Sequence, residues 1–137
     1  MSEKSLQSEI MLAIGKFCPT VRLFRNNCGK GVCGSQYVRI DRLQTVTLHP
    51  GDWVVRQGRM VDFGLFHGSG DLIGYETVET PVPVQIARFL SIECKTPTGK
   101  IEPAQVTWAA NVRAAGGKAL IARSVDEAVT GVLNLSL

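Results

Sequence analysis

Ile92-Glu93-Cys94-Lys95-Thr96-Pro97-Thr98 reads as the end of a buried strand running into a turn. Ile86, Phe89, Leu90 and Ile92 give Val84 to Lys95 the apolar character of a central strand. Alternate side chains of a strand share a face, so Glu93 and Lys95 project together while Cys94 points to the opposite side. A hairpin's length upstream stands Gly70-Asp71-Leu72-Ile73-Gly74. Its apolar residues suit the neighbouring strand, which would bring Asp71 towards Glu93 and converge two anions with one cation.

Two carboxylates about 4 Å apart repel by roughly 4 kcal/mol at an effective dielectric near 20, and a divalent cation reverses that sign. Carboxylate and carbonyl oxygens suit Mg²⁺ or Mn²⁺ better than zinc, which prefers thiolate and imidazole. A protonated Lys95 cannot ligate, but its ammonium can orient a water or neutralise charge building on a phosphate. Taken alone, an Asp and a Glu-x-Lys also fit a solvated strand face. The context favours chemistry: Thr96 to Gln105 reads as a turn and a helix start, with Pro103 at the first helical position and Gln105 in the first turn. Free amides at that helix start suit an anionic phosphate.

In order and spacing these segments resemble the virus-type replication-repair nuclease (VRR-NUC) family of the PD-(D/E)XK nuclease superfamily. The resemblance runs from Glu9 on the first helix through Arg25-Asn26-Asn27-Cys28-Gly29, Gly70 to Gly74, Ile92 to Gly99 and Gln105, and ends at Ala114 to Gly117 and Ala119 to Ser124. Ala122-Arg123-Ser124 keeps one arginine where the family has a Val-Arg-Arg run. The resemblance implies an αβββαβ core with an inserted hairpin region and a C-terminal helix, whereas periodicity alone supports only α/β or α+β. It implies that Glu9, Asp71, Glu93 and the Cys94 carbonyl hold Mg²⁺ or Mn²⁺, and that Asp71, Glu93, Lys95 and Gln105 are catalytic. The implied substrate is DNA, branched as in a four-way (Holliday) junction, cut by a homodimer whose two-fold axis matches the junction. A flap or single-strand nuclease, or a DNA-binding module of the same fold without catalysis, are the alternatives. Arg25, Asn27, Lys30, Lys100 and Lys118, together with Arg39, Arg56 and Arg59, are candidate DNA contacts.

The chain of 137 residues has the length of one domain, expected to span 1–137. A formal charge of +3 is compatible with nucleic acid without pointing to it. The polar start at Met1-Ser2-Glu3-Lys4 and the lack of a long apolar run lead to the expectation of a cytoplasmic protein without membrane contact. Cys18, Cys28, Cys33 and Cys94 have neither the spacing nor the flanking histidines of a zinc knuckle and are expected to be reduced, small core residues.

Leu6, Ile10, Ala13, Ile14 and Phe17 recur at helical spacing and predict an amphipathic first helix over about 5–17, stopped by Pro19. Short strands are expected at Val21 to Arg25, Tyr37 to Ile40, Thr45 to Leu48, Met60 to Phe66 and Leu72 to Tyr75. Glycines 29, 31 and 34 mark a turn region that lacks the ending of a phosphate-binding P-loop. Ala104, Trp108, Val112 and Ala115 predict the core stripe of a helix from Pro103, stopped at Gly116-Gly117. A strand at Ala119 to Ala122 and a capping box at Ser124 to Glu127 lead into the last helix.

Overall fold

The computed structural model describes residues 2–31, 39–55, 57 and 59–134. Among the described residues the chain is a mixed α/β fold with three helices. Helix α1 (Glu3–Phe17) is followed by β1 (Val21–Arg25). Strands β2 (Gly29–Gly31) and β3 (Val61–Phe63) form a separate antiparallel pair. Then come β4 (Leu72–Glu79), β5 (Gln85–Cys94), α2 (Pro103–Ala114), β6 (Lys118–Ala122) and α3 (Val125–Asn134). The main sheet has the order β1-β4-β5-β6. Its first two pairings are antiparallel, and β5 pairs with β6 in parallel. That parallel pair requires the crossover that α2 supplies.

Helices cover both faces of the sheet. Leu6, Ile10 and Ile14 of α1 and Ala128 and Val132 of α3 pack with Val21, Leu72, Leu90, Ile92, Cys94 and Ala122. On the other side Ala109 and Val112 of α2, flanked by Trp108, pack on Ala119. Because β5 is sandwiched, its alternation separates an apolar side (Leu90, Ile92, Cys94) from a polar one. On the polar side Ser91 accepts a hydrogen bond from Trp108 Nε1 at 2.8 Å, and Glu93 faces Gln105 of the same helix.

Several expectations need correction. Helix α1 begins at Glu3, because Ser2 Oγ accepts from the Ser5 amide at 3.1 Å and caps it. Phe17 lies past the buried stripe and is exposed, as is Ala115 beyond α2. The expected strand at Thr45 to Leu48 does not form; those residues are exposed and pair with no strand among the described residues. Only Val61–Phe63 of the expected Met60 to Phe66 strand forms. Ile86 and Phe89 of β5 are exposed, Phe89 although its ring meets Trp108 of α2 edge-on. Half of the strand expected at 37–40, with Cys33, Gly34 and Arg56, lies outside the described residues, and Arg39 and Ile40 are exposed and in no strand. Cys18 and Cys94 are buried free thiols, but Cys28 is exposed. Among the described residues no helix is long and apolar enough to cross a membrane.

Candidate active site

Three elements meet where β5 ends. The register Leu72↔Ile92 sets Asp71, one residue before β4, beside Glu93. Asp71 Oδ2 accepts a hydrogen bond from the Cys94 amide at 2.8 Å, which fixes the carboxylate against the neighbouring strand. Lys95 Nζ stands 2.9 Å from Glu93 Oε1, as their shared strand face requires. The third element is the start of α2. Glu102 is its N-cap residue and Pro103 its first helical residue, where a missing N–H costs nothing. Gln105 Oε1 accepts from the Glu102 amide at 2.8 Å, which orients the side-chain amide so that Nε2 donates to Glu93 Oε1. Lys95 and Gln105 thus both approach the same oxygen of Glu93.

Burial raises the Asp71 carboxyl above its ordinary value, with Glu3 adding to the rise while the Cys94 amide, Lys95 and Gln7 oppose it. Glu93 is raised in the same way by burial and by Asp71, against the pull of Lys95. Burial would lower the Lys95 ammonium, but its hydrogen bond and ion pair with Glu93, joined by Glu3 and Asp71, carry it above its ordinary value. Lys95 therefore keeps its proton at neutral pH. The Cys94 thiol is pushed up to about 12 by burial and by the carboxylates around it, so it is no thiolate ligand.

The helix carboxylate at this site is Glu3, not Glu9. Glu3 Oε1 lies 4.0 Å from Lys95 Nζ, and Glu3 acts on Asp71, Glu93 and Cys94 as well. Glu9 is exposed and stands roughly 120° around the helix from Glu3. Gln7, one helical turn after Glu3, faces Asp71 and accepts from Arg25 Nη1 at 3.0 Å. The apolar stripe does not reach back to Glu3, for which the available signal is Ser2, an N-cap residue type followed by an acidic first turn; Gln7 lies inside the expected helix and carries no signal of its own.

The expected DNA contacts divide. Lys118 is buried, donating to Glu76 Oε1 at 3.0 Å and to the Val132 carbonyl at 2.8 Å, and cannot meet a phosphate. Arg25 is tied to α1 through Gln7 and through Ser8 Oγ at 2.6 Å. Asn27, Lys30, Arg39, Arg59 and Lys100 are exposed. Arg123 donates to the carbonyls of Thr96 at 2.6 Å and Pro97 at 3.2 Å, clasping the turn that follows Lys95.

Among the described residues no group of three His, Cys, Asp or Glu side chains is placed to enclose a metal ion. The donor chemistry of the Asp71–Glu93 pair nevertheless fits Mg²⁺ or Mn²⁺. Mg²⁺ commonly uses one or two carboxylates and completes its shell with water and substrate phosphate. Both carboxyls are raised, the state in which a cation lowers the cost of ionisation. A shallow hollow lined by Met11, Ile14, Gly15, Val21, Arg22 and Leu23 lies apart from this cluster. No protein-family model, curated protein or solved structure matches the chain in comparison searches.

Proposed function

We propose that this chain is a metal-dependent DNA endonuclease of the PD-(D/E)XK type that resembles the VRR-NUC family. The observation that carries the proposal is the convergence of Asp71, Glu93 and Lys95 from two paired strands onto the start of α2, where Gln105 bonds Glu93. The helix–three strands–helix–strand order around the main sheet is compatible with that type.

Asp71 and Glu93, with the Cys94 carbonyl at the strand end, would hold Mg²⁺ or Mn²⁺. The ion would supply Lewis-acid activation of water and stabilise charge at the scissile phosphate. Lys95, held protonated by Glu93, donates hydrogen bonds at the point where negative charge grows. Gln105 keeps Glu93 in one rotamer, and the amides of Glu102, Gln105 and Val106 at the start of α2 are taken up by capping bonds, so the phosphate charge falls to Lys95. Glu3 and Gln7 steady Lys95 and Asp71 from α1. The substrate form is branched DNA cut by a symmetric pair of chains, whose two-fold axis suits a four-way junction.

The test is a panel of labelled four-way, flapped, single-stranded and linear DNAs with Mg²⁺ or Mn²⁺. Ion-dependent cleavage, lost in Glu93→Ala, supports the proposal, and preference among the substrates assigns the DNA form. Absence of cleavage on every substrate with either ion overturns it.

A further inference from the structure

Asn26 immediately follows β1 and is buried, 8 % exposed, although nothing in the chemistry above uses it. Its backbone N–H donates to the Asp71 carbonyl at 2.8 Å. Its side-chain Nδ2 donates to the Gly70 carbonyl at 2.9 Å and to Ser69 Oγ at 2.8 Å, while Oδ1 accepts from the Leu65 amide at 3.1 Å. A single residue therefore binds the two successive carbonyls that flank the Asp71 Cα. Those carbonyls lie in the peptide planes before and after Asp71, so holding both fixes its φ and ψ and the direction of its Cα–Cβ bond. With that bond set, the Asp71 carboxylate lies within reach of the Cys94 amide, from which Oδ2 accepts at 2.8 Å.

The surrounding chain leaves no slack for another arrangement. Gly64 has φ +76°, and a Cβ there would come within 2.9 Å of Asn26 Oδ1 and 2.8 Å of Cys28 Sγ. A Cβ on Gly70 would collide with Ser91 Oγ on β5. Ser69 Oγ also donates to the Phe66 carbonyl at 2.7 Å and lies 3.0 Å from Cys28 Sγ, so the anchor that Asn26 grips is itself held. An asparagine suits this place because it offers two donors and an acceptor in one plane, which neither aspartate nor serine does.

We infer that Asn26 is a positioning residue for the proposed metal site: through the backbone on both sides of Asp71 it sets the carboxylate against β5. The role as an aid to catalysis rests on the nuclease proposal, but the placement of Asp71 by Asn26 does not.

The full chain, ¹⁵N-labelled, separates the two. In Asn26→Ala and Asn26→Asp, hydrogen exchange at the Cys94 amide should accelerate by about tenfold or more relative to the Leu90 and Ile92 amides of the same strand. Titration with Mn²⁺ alone should show weaker binding than wild type. On the best DNA substrate kcat should fall by about 10²-fold while KM stays within about twofold, the signature of a misplaced group in place of a lost binding surface. Ser69→Ala keeps the bonds of Asn26 to Gly70 and Asp71 and should shift each reading the same way by less, which keeps the idea testable if the Asn26 variants do not fold. Wild-type Cys94 exchange in a folded Asn26 variant, or in Ser69→Ala where neither Asn26 variant folds, overturns the inference. A wild-type protein that neither binds Mn²⁺ nor cuts DNA overturns the nuclease proposal alone, because Cys94 exchange still decides what Asn26 does.

Discussion

At the scale of single residues, the site is a balance between burial, which resists charge on Asp71 and Glu93, and Lys95, which rewards it. Both carboxyls are raised, so the folded state holds protons that the unfolded chain releases. Their contribution to stability must therefore decline as pH climbs from the ordinary 3.8 and 4.5 through the raised folded values. Asp71→Asn should flatten that decline in metal-free protein, measured by denaturant unfolding across the acid range, and should abolish cleavage. Added Mn²⁺ should stabilise wild type near neutral pH and leave Asp71→Asn almost unmoved, since only a ligand bound to the folded state shifts the midpoint. A second prediction separates the two acids of α1. Glu3→Ala removes a carboxylate facing Lys95 and should lower cleavage by roughly 10- to 100-fold, the usual cost of losing an outer supporting group. Glu9→Ala, on an exposed face, should leave the rate unchanged. Equal rates for the two variants would remove Glu3 from the site.

At the scale of elements, a buried ion network ties the sheet to α3 on behalf of no reaction described above. Glu76 of β4 accepts from Arg88 of β5 at 2.6 Å and from Lys118 of β6 at 3.0 Å, and Lys118 also holds the Val132 carbonyl near the end of α3. Burial would raise Glu76, but Lys118 and Arg88 outweigh it and hold the carboxyl below its ordinary 4.5. Its stabilising contribution is thus complete above that value and is lost as pH falls through the lowered one. Lys118→Ala should cost about 3–5 kcal/mol by leaving a buried carboxylate short of a partner, read from chemical denaturation. Lys118 also shows what the sequence could not reveal. A lysine after Gly116-Gly117 resembles any surface cation until β6 is placed beside β5 and beneath α3. The same limit hid the exposure of Ile86 and Phe89, because an apolar strand residue does not tell how much of it a neighbouring helix will cover. Local signals fared better. Strand alternation placed Glu93 and Lys95 on one face, Pro103 marked the start of α2, and Gly116 at φ +85° closes that helix, with the Gly117 amide bonding the Val112 carbonyl.

At the scale of the whole molecule, the formal charge of +3 overstates the cations that a nucleic acid can meet. Lys118 is consumed by Glu76, Arg88 by the same carboxylate, and Arg113 by the Ala119 carbonyl at 2.6 Å. Arg25 is bound to α1 and Arg123 to the turn after Lys95. Of the basic residues expected to touch phosphate, Lys30, Arg39, Arg59 and Lys100 are exposed. If these four contact duplex DNA, the slope of log affinity against log salt is about −3.6, at about −0.9 for each phosphate neutralised. The matching measurement is fluorescence anisotropy with a labelled duplex arm in Ca²⁺, which can fill an oxygen-rich site of looser geometry without efficient hydrolysis. Lys30→Ala and Lys100→Ala should each make the slope shallower by about 1. Lys118→Met, examined under conditions where it remains folded, should leave the slope as it is, because the charge it removes never faced solvent. A slope near zero would mean that the substrate is not a polyanion, and the nuclease proposal would fail at its first step. A Lys118 effect equal to that of Lys100 would instead mean that β6 turns a different side outwards when DNA binds.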